Sequence, residues 1–271
     1  MSRRRYLLAT MTRRRADSLL AERGLARSRT GAAEAIRAGA VRVGADGPRL
    51  VRPSEMVASD AELIVEAGPR YVSRGGVKLE NALAALAVDP VGLDCLDVGA
   101  STGGFTDCLL QHGAARVVAL DVARGQLDWG LRNDPRVTVV ERRNARELSP
   151  AELPFRPRLA TVDVSFISLA KLLPALAACL GEDADALALV KPQFELGRGR
   201  VGKGGVVRSA DDRRAAIGAV ARAAADAGLR VRGFAASGLP GPKGNRETFI
   251  HLANHGESLA ELGAAIGGVD A

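Results

Sequence analysis

Cysteine is scarce in this chain of 271 residues: Cys95, Cys108 and Cys179 are the only three, with no C-x-x-C spacing and an odd count. That excludes a disulfide framework and a zinc ribbon, and leaves three small hydrophobes for a core. Long apolar runs are missing too. None reaches the roughly 20 residues a helix needs to cross a bilayer. The leading MSRRRYLLATMTRRR holds only about five apolar residues between its arginines, fewer than the roughly 7–15 of a signal-peptide core. The expectation is therefore a cytoplasmic protein with no membrane association, with Met11 as a second candidate start. Aromatic residues make up 3% of the chain, which leaves little for stacking on bases. Trp129, His112, His251 and His255 show no ligand spacing, so no metal is expected. Lysine is the rarest of the common charges, with Lys78, Lys171, Lys191, Lys203 and Lys243 standing against 33 arginines. An ammonium can lose its proton when buried and a guanidinium in practice does not, so each lysine is a candidate for chemistry.

Positive charge is present and unevenly spread. Residues 1–70 carry 14 basic and 8 acidic side chains, while the remaining chain carries 24 and 23, so most of the net +7 lies in the first quarter. A surplus so placed suits contact with a polyanion, and it also suits a merely solvated face. Within it, RRRADSLLAERGL reads as a helix ending at Gly24, and Ser28 as the N-cap of a second helix ending at Gly39. Val41 and Val43 alternate with Arg42 into a turn at Asp46-Gly47-Pro48 and a returning strand, and AELIVE closes the unit. Residues 1–66 thus form a small α+β domain, and AGPRYVS (67–73) a linker.

From residue 74 to 271 strands and helices alternate. An amphipathic helix, VKLENALAAL, comes first. Strands are expected at 94–98, 116–121, 137–141, 159–164, 186–191, 229–235 and 247–253. Helices are expected at about 104–112, 124–131, 169–180 and 209–227. This is an α/β fold, a doubly wound and mostly parallel Rossmann-like sheet, whose ligands sit past the carboxyl ends of the strands.

The stretch CLDVGASTGGFTD (95–107) is a buried strand, a glycine-rich turn and the start of a helix. Gly99, Gly103 and Gly104 let the chain turn sharply and bare N–H groups to a ligand. Gly99-x-x-x-Gly103 after Asp97 is not G-x-G-x-x-G; it is the form of an S-adenosylmethionine (SAM) site. Asp97 suits the ammonium or sulfonium, the turn Ala100, Ser101, Thr102 with Phe105 the methionine end, Asp121 the ribose hydroxyls and Asn144 the adenine. A nicotinamide or flavin site, or a purely structural turn, remains open at this point. Asp163-Val164-Ser165-Phe166-Ile167 stands where enzymes methylating amino groups carry Asn/Asp-Pro-Pro-aromatic, so that chemistry is disfavoured. The basic, glycine-rich loop ELGRGRVGKGGVVRS (195–209) reads as an RNA clamp, a lid or a plain flexible connection.

Two resemblances follow from quoted residues. RADSLLAERGLARSRTGAAEAIRAGAVRVGADGPRL resembles the S4-type RNA-binding domain, which implies that Arg13, Arg15, Arg27, Arg29, Arg37 and Arg42 meet RNA phosphates. YVSRGGVKLENAL, LDVGASTGGFTDCLLQHGA, VDVSFISL, LVKPQFELGR and GPKGNRETFI occur in order as in the hemolysin A (TlyA) family of S4-linked ribosomal RNA 2′-O-methyltransferases, which the chain resembles over almost its whole length. The resemblance implies a class I SAM-dependent methyltransferase domain, ribosomal RNA or ribosomal subunits as partner with no obligate protein partner, and methylation of a cytidine ribose 2′-hydroxyl. Its Lys-Asp-Lys-Glu tetrad falls on Lys78, Asp163, Lys191 and Glu247, with Asp163 also beside the cofactor. Some members have tryptophan near Tyr71. The alternatives are a non-catalytic RNA-binding or ribosome-associated factor and, from the family name, a hemolysin-like activity.

Overall fold

The computed structural model describes residues 12–26, 28–37, 39–66, 70–241 and 243–269. By its internal packing the chain divides into two compact units, Met1–Arg70 and Tyr71–Ala271.

In the first unit, strand β1 (Arg13–Arg15) leads into helix α1 (Ala16–Glu22), followed by α2 (Arg29–Arg37), β2 (Val41–Val43), β3 (Met56–Ala58) and β4 (Leu63–Val65). The expected first helix therefore starts three residues late, because Arg13–Arg15 pair antiparallel with Met56–Ala58. The strand expected to return from the Asp46 turn is reduced to one bridge between Arg42 and Arg49, and β2 pairs with β4 instead. Ser28 caps α2 as expected, its hydroxyl accepting from Gly31 N at 3.1 Å. Ala16, Leu19, Leu20, Ile36, Val41, Leu50 and Leu63 form the core, the apolar stripes of two helices closing over small sheets.

The second unit begins before the end of the expected linker. Tyr71 is buried, Val72 N donates to the Asp107 carboxylate at 2.8 Å, and Ser73 caps α3 (Arg74–Leu86). Apolar burial and a cap thus draw residues 71–73 into the domain. There follow β5 (Asp94–Val98), α4 (Gly104–Gln111), β6 (Arg116–Asp121), α5 (Trp129–Arg132), β7 (Val137–Glu141), β8 (Leu159–Val162), α6 (Leu173–Cys179), β9 (Asp185–Val190), α7 (Pro192–Glu195), α8 (Ala210–Asp226), β10 (Arg230–Ala236), β11 (Thr248–Ala253) and α9 (Leu262–Gly268). The sheet order is β10-β11-β9-β8-β5-β6-β7. β5 to β9 are mutually parallel, and β11 runs against both of its neighbours.

Alternation along the strands sorts side chains into two cores. Cys95, Val117, Leu159 and Leu187 meet α3 and α4 on one face. Leu96, Val118, Ala160 and Ala188 meet α6 and α8 on the other. The helix expected over 124–131 shrinks to four residues. Gly125 is left-handed (φ 71°) and Asp128 supplies the cap, so residues 122–127 form the loop beyond β6.

Candidate active site

The first strand to leave the core, β5, hands the chain to a turn that only glycine can make. Gly99 has φ 85°, and a Cβ there would run into the Asp163 carbonyl. Gly99 N and Ala100 N both donate to Leu120 O, at 2.8 and 3.1 Å, which ties the turn to the end of β6. Gly103, at φ 97°, caps α4, and a Cβ there would strike Leu131 and Leu127. The start of α4, at Gly104 and Phe105, is therefore left beside open space, while the Thr106 N–H turns inward to Asp97.

That space is a cavity of ≈ 370 Å³ lined by Gly99, Ala100, Ser101, Thr102, Gly104 and Phe105, with Lys78 and Asp163 on its other walls. A second cavity of ≈ 530 Å³ shares Gly99, Ser101 and Asp163 with the first and extends past Asp121 to Asn144 and Phe166. The two make one trough over the carboxyl ends of β5, β6 and β8. Each oxygen of Asp121 takes one backbone N–H, from Ser101 at 2.8 Å and Ala123 at 2.7 Å, and keeps a lone pair for a hydroxyl. Asn144 accepts from Arg146 N at 3.1 Å and faces the second cavity.

Asp97 lies elsewhere than its neighbours in the sequence. It is fully buried beneath the turn, accepting from Thr106 Oγ1 at 2.7 Å and Thr161 Oγ1 at 3.1 Å, and it lines neither cavity. Burial pushes its carboxyl up to about 7, against the two hydroxyls and the Thr106 backbone N–H, which favour the charged form.

The four tetrad residues, scattered over 170 positions, come together as two ion pairs. Lys78 Nζ on α3 meets Glu247 Oε2 at 2.5 Å, with side-chain exposures of 10% and 1%. Lys191 Nζ, just past β9, meets Asp163 Oδ1 at 2.5 Å and donates to Ser165 Oγ at 3.0 Å. The reversed strand links the pairs. Thr248 of β11 faces Val190 of β9, so Glu247, which precedes one strand, and Lys191, which follows the other, leave the sheet at the same edge. Lys78 and Asp163 then share the walls of the first cavity.

Spacing gave no hint of Ser165, Thr106, Thr161 or Asn245. Asn245 is buried, accepts from Val207 N at 2.8 Å and donates to Gly205 O at 2.8 Å, so it pins the end of the glycine-rich loop two residues from Glu247. At the loop's start Glu195 accepts from Ser168 Oγ at 2.6 Å and Leu169 N at 2.9 Å. The loop of 195–209 is thus anchored at both ends.

Of the arginines expected to meet RNA, Arg13 and Arg15 stand on β1, Arg29 and Arg37 on α2 and Arg42 on β2; Arg27 lies outside the described residues. Arg15 and Arg29 hold the Asp17 carboxylate at 2.7 and 3.2 Å and keep it well below the usual carboxylate range. Arg42 pairs with Glu66. Arg13 and Arg37 are exposed. Part of the basic surplus therefore holds the unit together. Among the described residues no group of acidic, histidine and cysteine side chains is placed to hold a metal, and no helix is long and apolar enough to cross a membrane.

Residues 71–254 match the family of FtsJ-like methyltransferases, and residues 14–61 match the S4 domain. The 16S/23S rRNA (cytidine-2′-O)-methyltransferase TlyA of Mycobacterium tuberculosis is 53% identical over 242 residues, 89% of this chain and 90% of that protein. Hemolysin A of Brachyspira hyodysenteriae is 37% identical over 88% of this chain and 99% of its own. A solved structure from Streptococcus thermophilus, described as a candidate hemolysin, superposes with a TM-score of 0.71 at 39% identity, covering 95% of this chain and 96% of that one.

Proposed function

The chain belongs to the FtsJ-like methyltransferase family, within it to the S4-linked TlyA group, and from that premise we propose that it methylates the ribose 2′-hydroxyl of a cytidine in ribosomal RNA, on ribosomal subunits in the cytoplasm. The family's methyl donor is S-adenosylmethionine. The observation that carries the reading is the convergence of Lys78, Asp163, Lys191 and Glu247 at one edge of the sheet, beside the trough over the glycine turn. An intact constellation of this kind weighs against a non-catalytic RNA-binding factor.

The trough suits the donor. Bare N–H groups at the start of α4 suit a carboxylate, Asp121 suits two ribose hydroxyls, and Asn144 stands where a base edge would need a polar partner. When bound, the donor supplies an electrophilic methyl carbon on a positively charged sulfur.

The residues of the chain do the rest. A ribose hydroxyl is a weak nucleophile at neutral pH, so holding it in line contributes most. Lys191 and Asp163, locked at 2.5 Å and steadied by Ser165, meet the proton that leaves the hydroxyl and the negative charge that grows on its oxygen. Lys78 and Glu247, buried at 2.5 Å, orient the ribose and fix the position of Lys191. Arginines of the S4 domain, Arg13 and Arg37 first among the exposed ones, contribute affinity for phosphate that weakens with salt.

The test is nucleoside mass spectrometry of unmodified small and large ribosomal subunits incubated with the protein and SAM. A 2′-O-methylated cytidine is expected. A methyl group on a base would refute the reading.

A further inference from the structure

Aromatic side chains are few in this chain, so one left in water stands out. Trp129 is the only tryptophan, and it is 78% exposed. An indole ordinarily buries most of its roughly 150–250 Å² in a core or an interface. Phe166, the other strongly exposed aromatic among the described residues, lines the second cavity and leans on Phe194 with ring centroids 5.2 Å apart, so it belongs to the site already described. Trp129 lines neither cavity of the trough and is in neither core of its unit.

The backbone under this ring is held in place. Asp128 N donates to Thr102 O at 3.1 Å, Ser101 Oγ donates to Gln126 Oε1 at 3.3 Å, and Gly125 N donates to the Glu141 carboxylate at 2.8 Å. Asp128 then caps α5, its Oδ1 accepting from Gly130 N at 2.8 Å, and Asn133 Nδ2 donates to Trp129 O at 2.7 Å. Leu127 and Leu131, on either side of Trp129 in the chain, are buried over Gly103. The segment 122–129 is therefore a fixed lip along the trough: Val122, Ala123 and Gln126 line the second cavity, and Thr102, to which Asp128 is bonded, lines the first. Trp129 stands at the end of that lip, its backbone fixed and its ring in water.

We propose that Trp129 is a stacking platform for an unpaired base of the substrate RNA, one that flanks the nucleotide whose ribose enters the trough. The inference rests on the RNA reading given above and deepens it by naming a positioning residue. A strand that delivers one ribose to the site must lay its neighbouring nucleotides along the rim. A flat π face is what an unstacked base needs, and it serves any base because each has such a face. A platform already fixed also loses little freedom when it is covered. The surroundings favour a base over a protein partner. A tryptophan that anchors a protein interface sits among other groups that exclude water, whereas the exposed residues beside Trp129 along the lip are Arg124, Gln126 and Asp128, with Val122 alone apolar. Charges here balance, since Arg132 pairs with Glu141 and Arg124 adds to the attraction on that carboxylate. The lip thus offers a ring in place of a phosphate site.

Because the chain has a single tryptophan, its fluorescence reports on this ring alone. The full chain is titrated at low salt with a single-stranded, cytidine-rich oligoribonucleotide and with an RNA duplex of the same length, binding of each being followed by gel shift. The single strand is expected to quench the emission. The duplex, whose bases are already stacked, should bind through the arginines and leave the emission nearly unchanged. In methyl transfer to unmodified ribosomal subunits, Trp129→Ala should lower kcat/KM roughly tenfold to a hundredfold, the size of one base–aromatic stack, through KM more than kcat, with calorimetric SAM binding unchanged. Trp129→Phe should keep most of the activity, and Trp129→Leu, apolar but without a π face, should fall with Trp129→Ala. An emission unmoved by the single strand, equal quenching by the duplex, or loss of SAM binding in Trp129→Ala would overturn the proposal. So would Trp129→Leu as active as Trp129→Phe, which would put an apolar protein group on the ring. Were wild type to show the quenching yet methylate no subunit, the reading of its function would fall and the platform would stand.

Discussion

Replacing Lys78 with methionine tests whether the inner ion pair is a structural necessity as well as a catalytic one. The ammonium lies 2.5 Å from Glu247 Oε2, and the glutamate side chain is 1% exposed. Gly241 closes over it so tightly that a Cβ there would strike Oε1. Gly241 thus closes one side of the carboxylate. Lys78→Met therefore strands a buried carboxylate, a change that costs about 3–5 kcal/mol. The double variant Lys78→Met, Glu247→Gln strands only a neutral amide and should regain roughly 2 kcal/mol or more of that loss. With a urea slope of about 2 kcal/mol per molar, the single variant should unfold roughly 1.5–2.5 M earlier than wild type. The assay is urea denaturation followed by circular dichroism at pH 7, run beside methyl transfer to ribosomal subunits. Transfer should be lost in both variants, while only the single one is strongly destabilised. Equal stability of the two would refute a buried, mutually compensating pair, and full turnover in Lys78→Met would remove Lys78 from the reaction.

Three further outcomes are expected. Lys191→Ala should lower transfer by roughly a thousandfold, a loss of the size seen when a donor to a developing charge is removed, while calorimetry still detects SAM binding; retained turnover would dismiss Lys191. Gly99→Ala places a Cβ against the Asp163 carbonyl at a φ of 85°, so melting temperature and SAM affinity should both fall, by about 2 kcal/mol in stability. Asp17 is held below its ordinary value of 3.8 by hydrogen bonds from Arg15, with Arg29 adding to them, so its contribution is present above pH 4 and is lost as pH falls through the lowered value. Asp17→Asn should accordingly destabilise the S4 unit at pH 7 and make progressively less difference in acid, as read by unfolding at each pH.

The parallel strands were legible because strands covered on both faces are near-continuous apolar runs, and VVAL or DALALV admits few other readings. The short sheets of the first unit were not. Arg13–Arg15 gain strand geometry only from Met56–Ala58, 43 positions away, and three arginines carry no strand signal of their own. The glycine turn was readable from its residues alone, but the tetrad came from family resemblance, since nothing in spacing joins Lys78 to a glutamate 169 residues later. Asp97 is instructive in a different way. It was expected to face the ligand, yet strand alternation puts it on the side of Cys95, beneath α4, and that parity was available in the sequence. Asn245 and Ser165 were hidden because a polar residue in a loop reveals its partner only after the chain has closed.

One strand of the large sheet points the wrong way, and the enzyme's outline follows from it. In an all-parallel array every strand offers the rim only the residues that come after it. By laying Thr248–Ala253 head to tail against Asp185–Val190, the chain also brings there the residues that come before a strand, and so the hairpin of 237–247 doubles as scaffolding for Glu247. Shortening or regrafting that hairpin by a single residue would shift the glutamate's register and, because Pro240 of the hairpin lines the trough, would disturb one wall of the ligand site along with it.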